Sequence, residues 1–300
     1  MSNVIAVVWD FDKTIVDGYM QDPIFEEYNV DGHEFWKEVN DLPKKYKDQG
    51  IRVNPDTIYL NQFIKDAQES GRFPGLSNEK LKEFGQKLKF YPGIPDIFIT
   101  TKSIIDNDSV YKNYDIKLEH YIVSTGIRNI IEGSPVREHV TAIWGCDFIE
   151  DPQTHIISEL GYTIDNTSKT RALFEINKGV PVHVDIDVNA QMPESTRRVH
   201  FNNMIYIADG PSDVPAFSVV KKNGGATFAV YPPKDKTAFA QVERLREDAR
   251  IDMYAEADYR PEKTAYMWIE NKIKEFADQI VNDEKQKLAA SVSVPPRHIN

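Results

Sequence analysis

Four aspartates carry most of the chemical potential of this chain. Asp10 and Asp12 stand in DFDKT (10–14), Asp209 and Asp213 in DGPSD (209–213), and each motif directly follows an apolar run, VIAVVW and MIYIA. A third apolar run, HYIV, ends in Ser124, Thr125 and Gly126. Uninterrupted apolar, β-branched runs read as strands buried on both faces of a parallel sheet, and such a sheet brings its strand ends onto one edge. Two carboxylates at i and i+2 point the same way while a strand continues, so a turn after Asp10 is needed to give Asp12 a separate role. Gathering four carboxylates in one cleft raises their proton affinity unless a cation is present. Magnesium suits such a set, because it takes oxygen ligands and leaves places for water and phosphate. A lysine opening a helix and a hydroxyl followed by glycine would bind the other phosphate oxygens. Lys169, directly after Ser168, fits the first description, and Ser124-Thr125-Gly126 the second.

The elements that must position these residues alternate between strand and helix signals. Between Gly18 and Phe90 the texture is charged and studded with aromatics, which predicts a helical insertion after the first strand. Ile94, Ile97, Phe98, Thr101, Ile104 and Ile105 follow helical spacing, and HYIVSTG reads as a strand entering a turn. TAIWGCDFIE and the segment near Tyr162 read as short strands. SKTRALFEINKG reads as a helix with Ser168 as N-cap and Gly179 as its stop. The alternation in VPVHVDIDV (180–188) predicts an antiparallel excursion, ATFAVY a further strand, and PEKTAYMWIENKIKEFADQIV (261–281) an amphipathic helix opened by Pro261. The expected architecture is α/β, a doubly wound parallel sheet with ligands at the carboxyl ends of its strands.

In order and together, DFDKT, the strand ending in Ser124-Thr125-Gly126, Lys169 opening a helix, and DGPSD resemble the motifs of the haloacid dehalogenase-like (HAD) superfamily, most of all its phosphoserine-phosphatase-like branch. The resemblance covers about positions 1 to 230. It implies a HAD-like Rossmannoid core at 1–17 and 91–288, with a C1-type helical cap at 18–90 and a loose tail at 289–300. The implied activity is magnesium-dependent cleavage of a small phosphomonoester through an aspartyl phosphate. Asp10 would attack phosphorus, Asp12 protonate the leaving oxygen and later activate water, and Ser124, Thr125, Gly126 and Lys169 hold the phosphoryl oxygens. The metal would lie on the Asp10 carboxylate, the Asp12 backbone carbonyl and Asp209, with Thr14 and Asp213 in support. Asp12 favours phosphoryl chemistry, since dehalogenases of the superfamily lack it. Two departures stand out: Lys13 occupies a place where the family often has glycine, and the long interval before Asp209 makes Lys178 an alternative to Lys169. Phosphotransfer to a second hydroxyl and a catalytically silent binding protein are the rival readings.

Composition narrows the partners. The hydrophobic share of 41% and charged share of 28% are those of a folded domain, and the net charge of −11 disfavours nucleic acid. Cys146 is the single cysteine, which excludes an internal disulfide and fits a reducing compartment. No segment reads as an export signal or membrane span, so the expected setting is cytoplasmic and the expected partner a small phosphorylated metabolite. Oligomeric state is left open. His183, Asp185 and Asp187 read as one solvated strand face. Trp36, Tyr46, Tyr59 and Phe63 read as core of the insertion, where Asp22, Glu26, Arg52 and Arg72 are the polar candidates for reading a leaving group.

Overall fold

A computed structural model of the chain describes residues 3–183 and 186–292. Strand β1 (Val4–Trp9) is buried along its whole length, as its apolar run requires. The chain then enters four helices, α1 (Asp22–Glu27), α2 (Gly32–Lys47), α3 (Ile58–Asp66) and α4 (Asn78–Gly85). It returns through α5 (Asp96–Asp106) and α6 (Ser109–Asn113) to β2 (Lys117–Ile127), α7 (Arg128–Gly133) and the pair β3 (Ala142–Glu150) and β4 (Ile157–Tyr162). Helix α8 (Lys169–Lys178) precedes β5 (Met204–Ala208), α9 (Val214–Lys222), β6 (Ala226–Tyr231), α10 (Lys236–Glu247), β7 (Met253–Glu256) and α11 (Thr264–Val292).

The seven strands form one sheet in the order β4-β3-β2-β1-β5-β6-β7. All neighbours are parallel except β3 and β4. The chain winds outward from β1 to β4 and then restarts on the other side at β5, so the switch point falls between β1 and β5, where a doubly wound sheet opens its binding crevice. Helices α5, α6 and α11 pack together, as do α8 and α9. Beneath the crevice the indole of Trp9 donates to His120 Nδ1 at 3.1 Å, and Thr101 Oγ1 lies 3.0 Å from the other ring nitrogen. Burial, with Lys102 nearby, pushes this imidazole down to about 3, so it is neutral and its polarity is satisfied inside the core.

The insertion between Gly18 and Phe90 is helical and has its own aromatic core. Phe35, Phe63 and Phe73 are fully buried, and the Phe63 and Phe73 rings stack at 4.9 Å. Trp36 packs edge-on against Phe35, while Tyr46 sits at the surface beside Lys65. Helix α4 presses onto α7 through glycines: a Cβ on Gly85 would stand 2.2 Å from the Ile130 carbonyl oxygen, and one on Gly133 would stand 2.0 Å from that of Lys82. The Ile157 N–H donates to the Leu76 carbonyl at 3.0 Å, which ties the insertion to β4.

Several expectations need correction. VPVHVDIDV forms no strand among the described residues: a turn follows Gly179, and Lys178 Nζ donates to the Val188 and Ala190 carbonyls at 2.5 Å each. Apolar alternation there serves a loop folded over its own lysine, so His183 and Asp187 share no sheet face; Asp185 lies outside the described residues. Ser168 stands at the N-cap position in helical conformation and its side chain caps nothing; its Oγ bonds Asp165 instead. Gly179, with φ 87°, ends that helix in the left-handed conformation. Pro261 precedes α11, which begins at Thr264 and runs to Val292, well past the apolar stripe; the remainder of the expected tail lies outside the described residues. No helix among the described residues is long and apolar enough to cross a membrane.

Candidate active site

Strand register sets the site. Trp9 stands in line with Ile122 on β2 and Ile207 on β5, so β1 and β5 end within one residue of each other while β2 runs on to Ile127. Asp10 is one residue beyond that line, and Ser124 and Asp209 are two beyond. The Asp10 N–H still bonds the Ile207 carbonyl at 2.8 Å, keeping the residue in the sheet. The chain then turns sharply, with the N–H groups of Thr14, Ile15 and Val16 all aimed at the Phe11 carbonyl and Lys13 at φ 56°. That turn separates the two aspartates, as the i, i+2 spacing required. Asp12 swings toward the insertion, and its Oδ1 accepts the Met20 N–H at 2.7 Å.

Asp10 is 6% exposed and held from two sides. Lys169 Nζ lies 2.6 Å from its Oδ1, and Thr14 Oγ1 donates to its Oδ2 at 3.1 Å. The same ammonium lies 2.6 Å from Asp213 Oδ1, which also accepts the Tyr206 hydroxyl at 2.5 Å, while Ser212 donates to Asp213 Oδ2. Lys169 is only 1% exposed, and burial works against its charge; Asp10 and Asp213 outweigh that and hold it above the ordinary lysine range. Lys178, engaged with loop carbonyls, is elsewhere.

The third carboxylate, Asp209, takes no hydrogen bond from the protein among the described residues. Oxygens of Asp10, Asp209 and Asp213 all lie within 4.8 Å of one another. At an effective dielectric near 20, each ionised pair at that separation repels by about 3–4 kcal/mol. One lysine does not offset the whole. Burial, then Asp10 and Asp213, push Asp209 up to about 8, and burial with Asp213 brings Asp10 to about 6 despite Lys169. Burial and the Asp10 charge raise Asp12 well above its ordinary value, against the pull of the Met20 N–H. An all-oxygen cluster that resists ionisation and includes a carboxylate without a protein donor fits a hard divalent cation.

The hydroxyl motif lies inside β2, not in a turn after it. Pairing with β3 shifts register between Val123 and Ile127, so Ser124, Thr125 and Gly126 form the irregular segment. Ser124 Oγ accepts the Gly126 N–H at 2.9 Å and is buried. No hydrogen bond joins Ser124 to Asp10 or Lys169 among the described residues. A Cβ on Gly126 would stand 2.1 Å from Met20 Cε, so only glycine admits that contact.

Three participants escaped the sequence reading. Tyr206 had a signal: a phenol in a strand buried on both faces needs an acceptor, here Asp213. Met20 and Tyr59 had none, since their contacts come from the insertion folding back. Tyr59 donates to the Thr125 carbonyl at 2.9 Å. Among the polar residues of the insertion, Arg72 bridges Asp66 and Glu38, and Arg52 is exposed. Asp22 and Glu26 line a cavity of about 590 Å³ that Asp10, Asp12 and Asp209 do not reach. Lys13 donates to the Tyr19 hydroxyl at 2.7 Å, and its charge acts on Asp209 and Asp12.

No family model matches the chain. It is similar to an uncharacterised protein of Borreliella burgdorferi, 36% identical over 288 residues that cover 90% of this chain and 97% of that protein. Among solved structures it is similar to a HAD family hydrolase of Salmonella enterica serovar Typhi, with a TM-score of 0.51 at 12% identity over 83% of this chain; the chain spans 66% of that longer protein. A phosphoserine phosphatase in its apo form aligns over 85% of this chain and 96% of its own at 15% identity, with a TM-score of 0.49. The doubly wound sheet thus has a counterpart in a solved hydrolase: the chain belongs to one family with the Borreliella burgdorferi protein and has the haloacid dehalogenase-like fold.

Proposed function

We propose that the protein is a phosphohydrolase of the phosphoserine-phosphatase-like kind, acting on a small phosphomonoester. The observation that carries this reading is Asp10: a buried carboxylate at the switch point, fixed by Lys169 on one oxygen and Thr14 on the other. Fixed in this way it is oriented to attack, and forming a covalent phosphoaspartate divides one high barrier into two lower ones. Burial and the Asp10 charge raise the proton affinity of Asp12, which suits it to give a proton to the leaving oxygen, and its conjugate base can take one from water in the second step. Lys169 and the Ser124 hydroxyl are the cationic and neutral donors for the equatorial phosphoryl oxygens. Asp10, Asp209 and the Asp12 carbonyl would hold Mg2+, with Asp213 fixing Lys169; when bound, the ion neutralises charge on the cluster and on the phosphoryl group. The helical insertion covers this edge, which supports a small metabolite as substrate over a protein or nucleic acid, and the reading places the enzyme in the cytoplasm.

The test is phosphate release from 4-nitrophenyl phosphate and a panel of phosphorylated metabolites, with MgCl2 and with EDTA. Release that requires magnesium is the expected result. A complete absence of release, together with no binding of beryllium fluoride, would leave a binding protein on this fold.

A further inference from the structure

We infer that the helical insertion is part of the phosphate site itself, with Tyr59 as a positioning residue that sets the Ser124–Gly126 segment. This rests on the phosphohydrolase reading, in which that segment binds phosphate.

One short stretch of the insertion reaches two of the phosphate-binding elements. Tyr59, on α3 and 6% exposed, donates its hydroxyl to the Thr125 carbonyl at 2.9 Å. Five residues earlier, Asn54 Nδ2 donates to Asp165 Oδ2 at 2.9 Å, and Asp56 Oδ2 accepts the Asn166 N–H at 3.3 Å. Asp165 in turn holds the N–H groups of Thr167 and Ser168 at the start of α8, the turn that launches Lys169. Met20 adds a third tie: its N–H holds Asp12, while its sulfur accepts the Ile127 N–H at 3.0 Å and its methyl packs over Gly126.

The Thr125 carbonyl needs such a partner. It sits in the segment where β2 and β3 shift register, so regular ladder pairing with β3 is interrupted around it. The other side-chain donor to it among the described residues is the Cys146 thiol, at 3.4 Å and weak. The direction of that carbonyl sets the peptide plane leading to Gly126, whose N–H holds Ser124 Oγ. Without the tyrosine hydroxyl the plane is freer to rotate, and the serine hydroxyl loses its fixed aim at an incoming phosphate. A phenylalanine keeps the ring packing and removes only this bond.

The experiment compares wild type and Tyr59→Phe with magnesium present. Three readouts are taken: the dissociation constant for inorganic phosphate, kcat and KM for 4-nitrophenyl phosphate, and the rate at which a disulfide reagent labels Cys146. Phosphate affinity is expected to fall about tenfold, the scale of one well-formed hydrogen bond. KM should rise with it while kcat changes less, and Tm should stay close to the wild-type value. Saturating phosphate should slow labelling of Cys146 in the wild type, and Tyr59→Phe should lose most of that protection. Equal phosphate affinity and equal protection in the two proteins, measured where both are folded, would overturn the inference and make Tyr59 a packing residue. If the wild type itself neither binds phosphate nor hydrolyses the ester, the phosphohydrolase reading fails and this inference fails with it.

Discussion

The sheet edge and the helical insertion face each other across the same residues, yet they are built by opposite rules. At the edge, Asp10, Lys169 and Asp213 are charged and almost fully buried, and each is placed by the register of a strand or the start of a helix. In the insertion, Phe35, Phe63 and Phe73 make an apolar core, and polar contacts with the edge come from a few residues, Met20, Asn54, Asp56 and Tyr59. Burying unbalanced charge costs stability, whereas burying aromatic rings supplies it. The edge concentrates charge and the insertion apolar packing, and if the proposed function holds, substitutions at Asp10 and at Phe63 should separate chemistry from stability.

The largest separation is expected at Asp10. Asp10→Asn should lower turnover by about 10⁴-fold or more, the scale seen when a nucleophile is removed. The fold should survive, because Lys169 keeps Asp213 and one of the crowded negative charges is gone. Steady-state kinetics with circular dichroism decide the matter; substantial residual activity would exclude the covalent route. Lys169→Met should lose both activity and stability, by about 3–5 kcal/mol, since it strands buried carboxylates. Lys178→Met should leave activity intact, because among the described residues that side chain ties down the Val188 and Ala190 carbonyls, away from Asp10. Parallel loss at both lysines would blur the assignment made from geometry.

On the other side of the comparison stands Phe63, stacked on Phe73 and within 5.1 Å of Phe35. Phe63→Ala should cost about 3–5 kcal/mol through the cavity it leaves. Denaturant unfolding followed by far-UV signal and by Cys146 labelling would show whether insertion and sheet melt together. The contact of Gly85 and Gly133 backbones between α4 and α7 predicts that they do.

How far each region could be read from sequence follows from the same contrast. VIAVVW and MIYIA declared buried parallel strands, and since a parallel sheet aligns strand ends, the meeting of Asp10 with Asp209 and Asp213 was legible before any coordinates. Lys169, at the start of its helix, stands beside Asp10, and Lys178, at the other end of that helix, does not. The insertion was legible only as helical: nothing local marks Tyr59 or Met20 as partners of β2, because their contacts join residues 66 and 107 positions apart in the chain. VPVHVDIDV misled because its described residues belong to turns, with Lys178 holding the Val188 and Ala190 carbonyls. The Ser168 cap failed because that residue is itself helical and its hydroxyl is engaged with Asp165, while the Thr170 and Arg171 N–H groups that a cap would take bond the Thr167 and Ser168 carbonyls.

The acidic edge also makes a prediction about pH. Asp209, raised to about 8, and Asp10, raised to about 6, both bind protons more tightly in the folded chain than in the unfolded one, where an aspartate titrates near its ordinary value of 3.8. Between those values the folded state carries the extra protons, so stability is full below the unfolded pKa and falls as pH rises through the folded ones. In EDTA, Tm should drop from about pH 5 to pH 8. Magnesium should raise Tm most at the alkaline end, because the ion binds the ionised cluster. Differential scanning fluorimetry at a series of pH values checks this, and a magnesium shift independent of pH would argue that the ion binds elsewhere.

The smallest effect is expected at Lys13, which belongs to both regions at once. Its backbone sits at φ 56°, a conformation that costs a side-chain-bearing residue about 1 kcal/mol relative to glycine. Its ammonium, however, reaches the Tyr19 hydroxyl and lies over that ring at 4.3 Å, and it draws Asp209 toward ionisation. Lys13→Gly should therefore relax the turn and leave Tm nearly unchanged or slightly higher, while lowering kcat/KM by a few fold through the lost cation. If activity is untouched and Tm rises, the lysine serves neither region and its strain is unrecompensed. If Tm falls instead, the contact with Tyr19 outweighs the strain, and the joint between insertion and edge is tighter at Lys13 than the turn geometry alone implies.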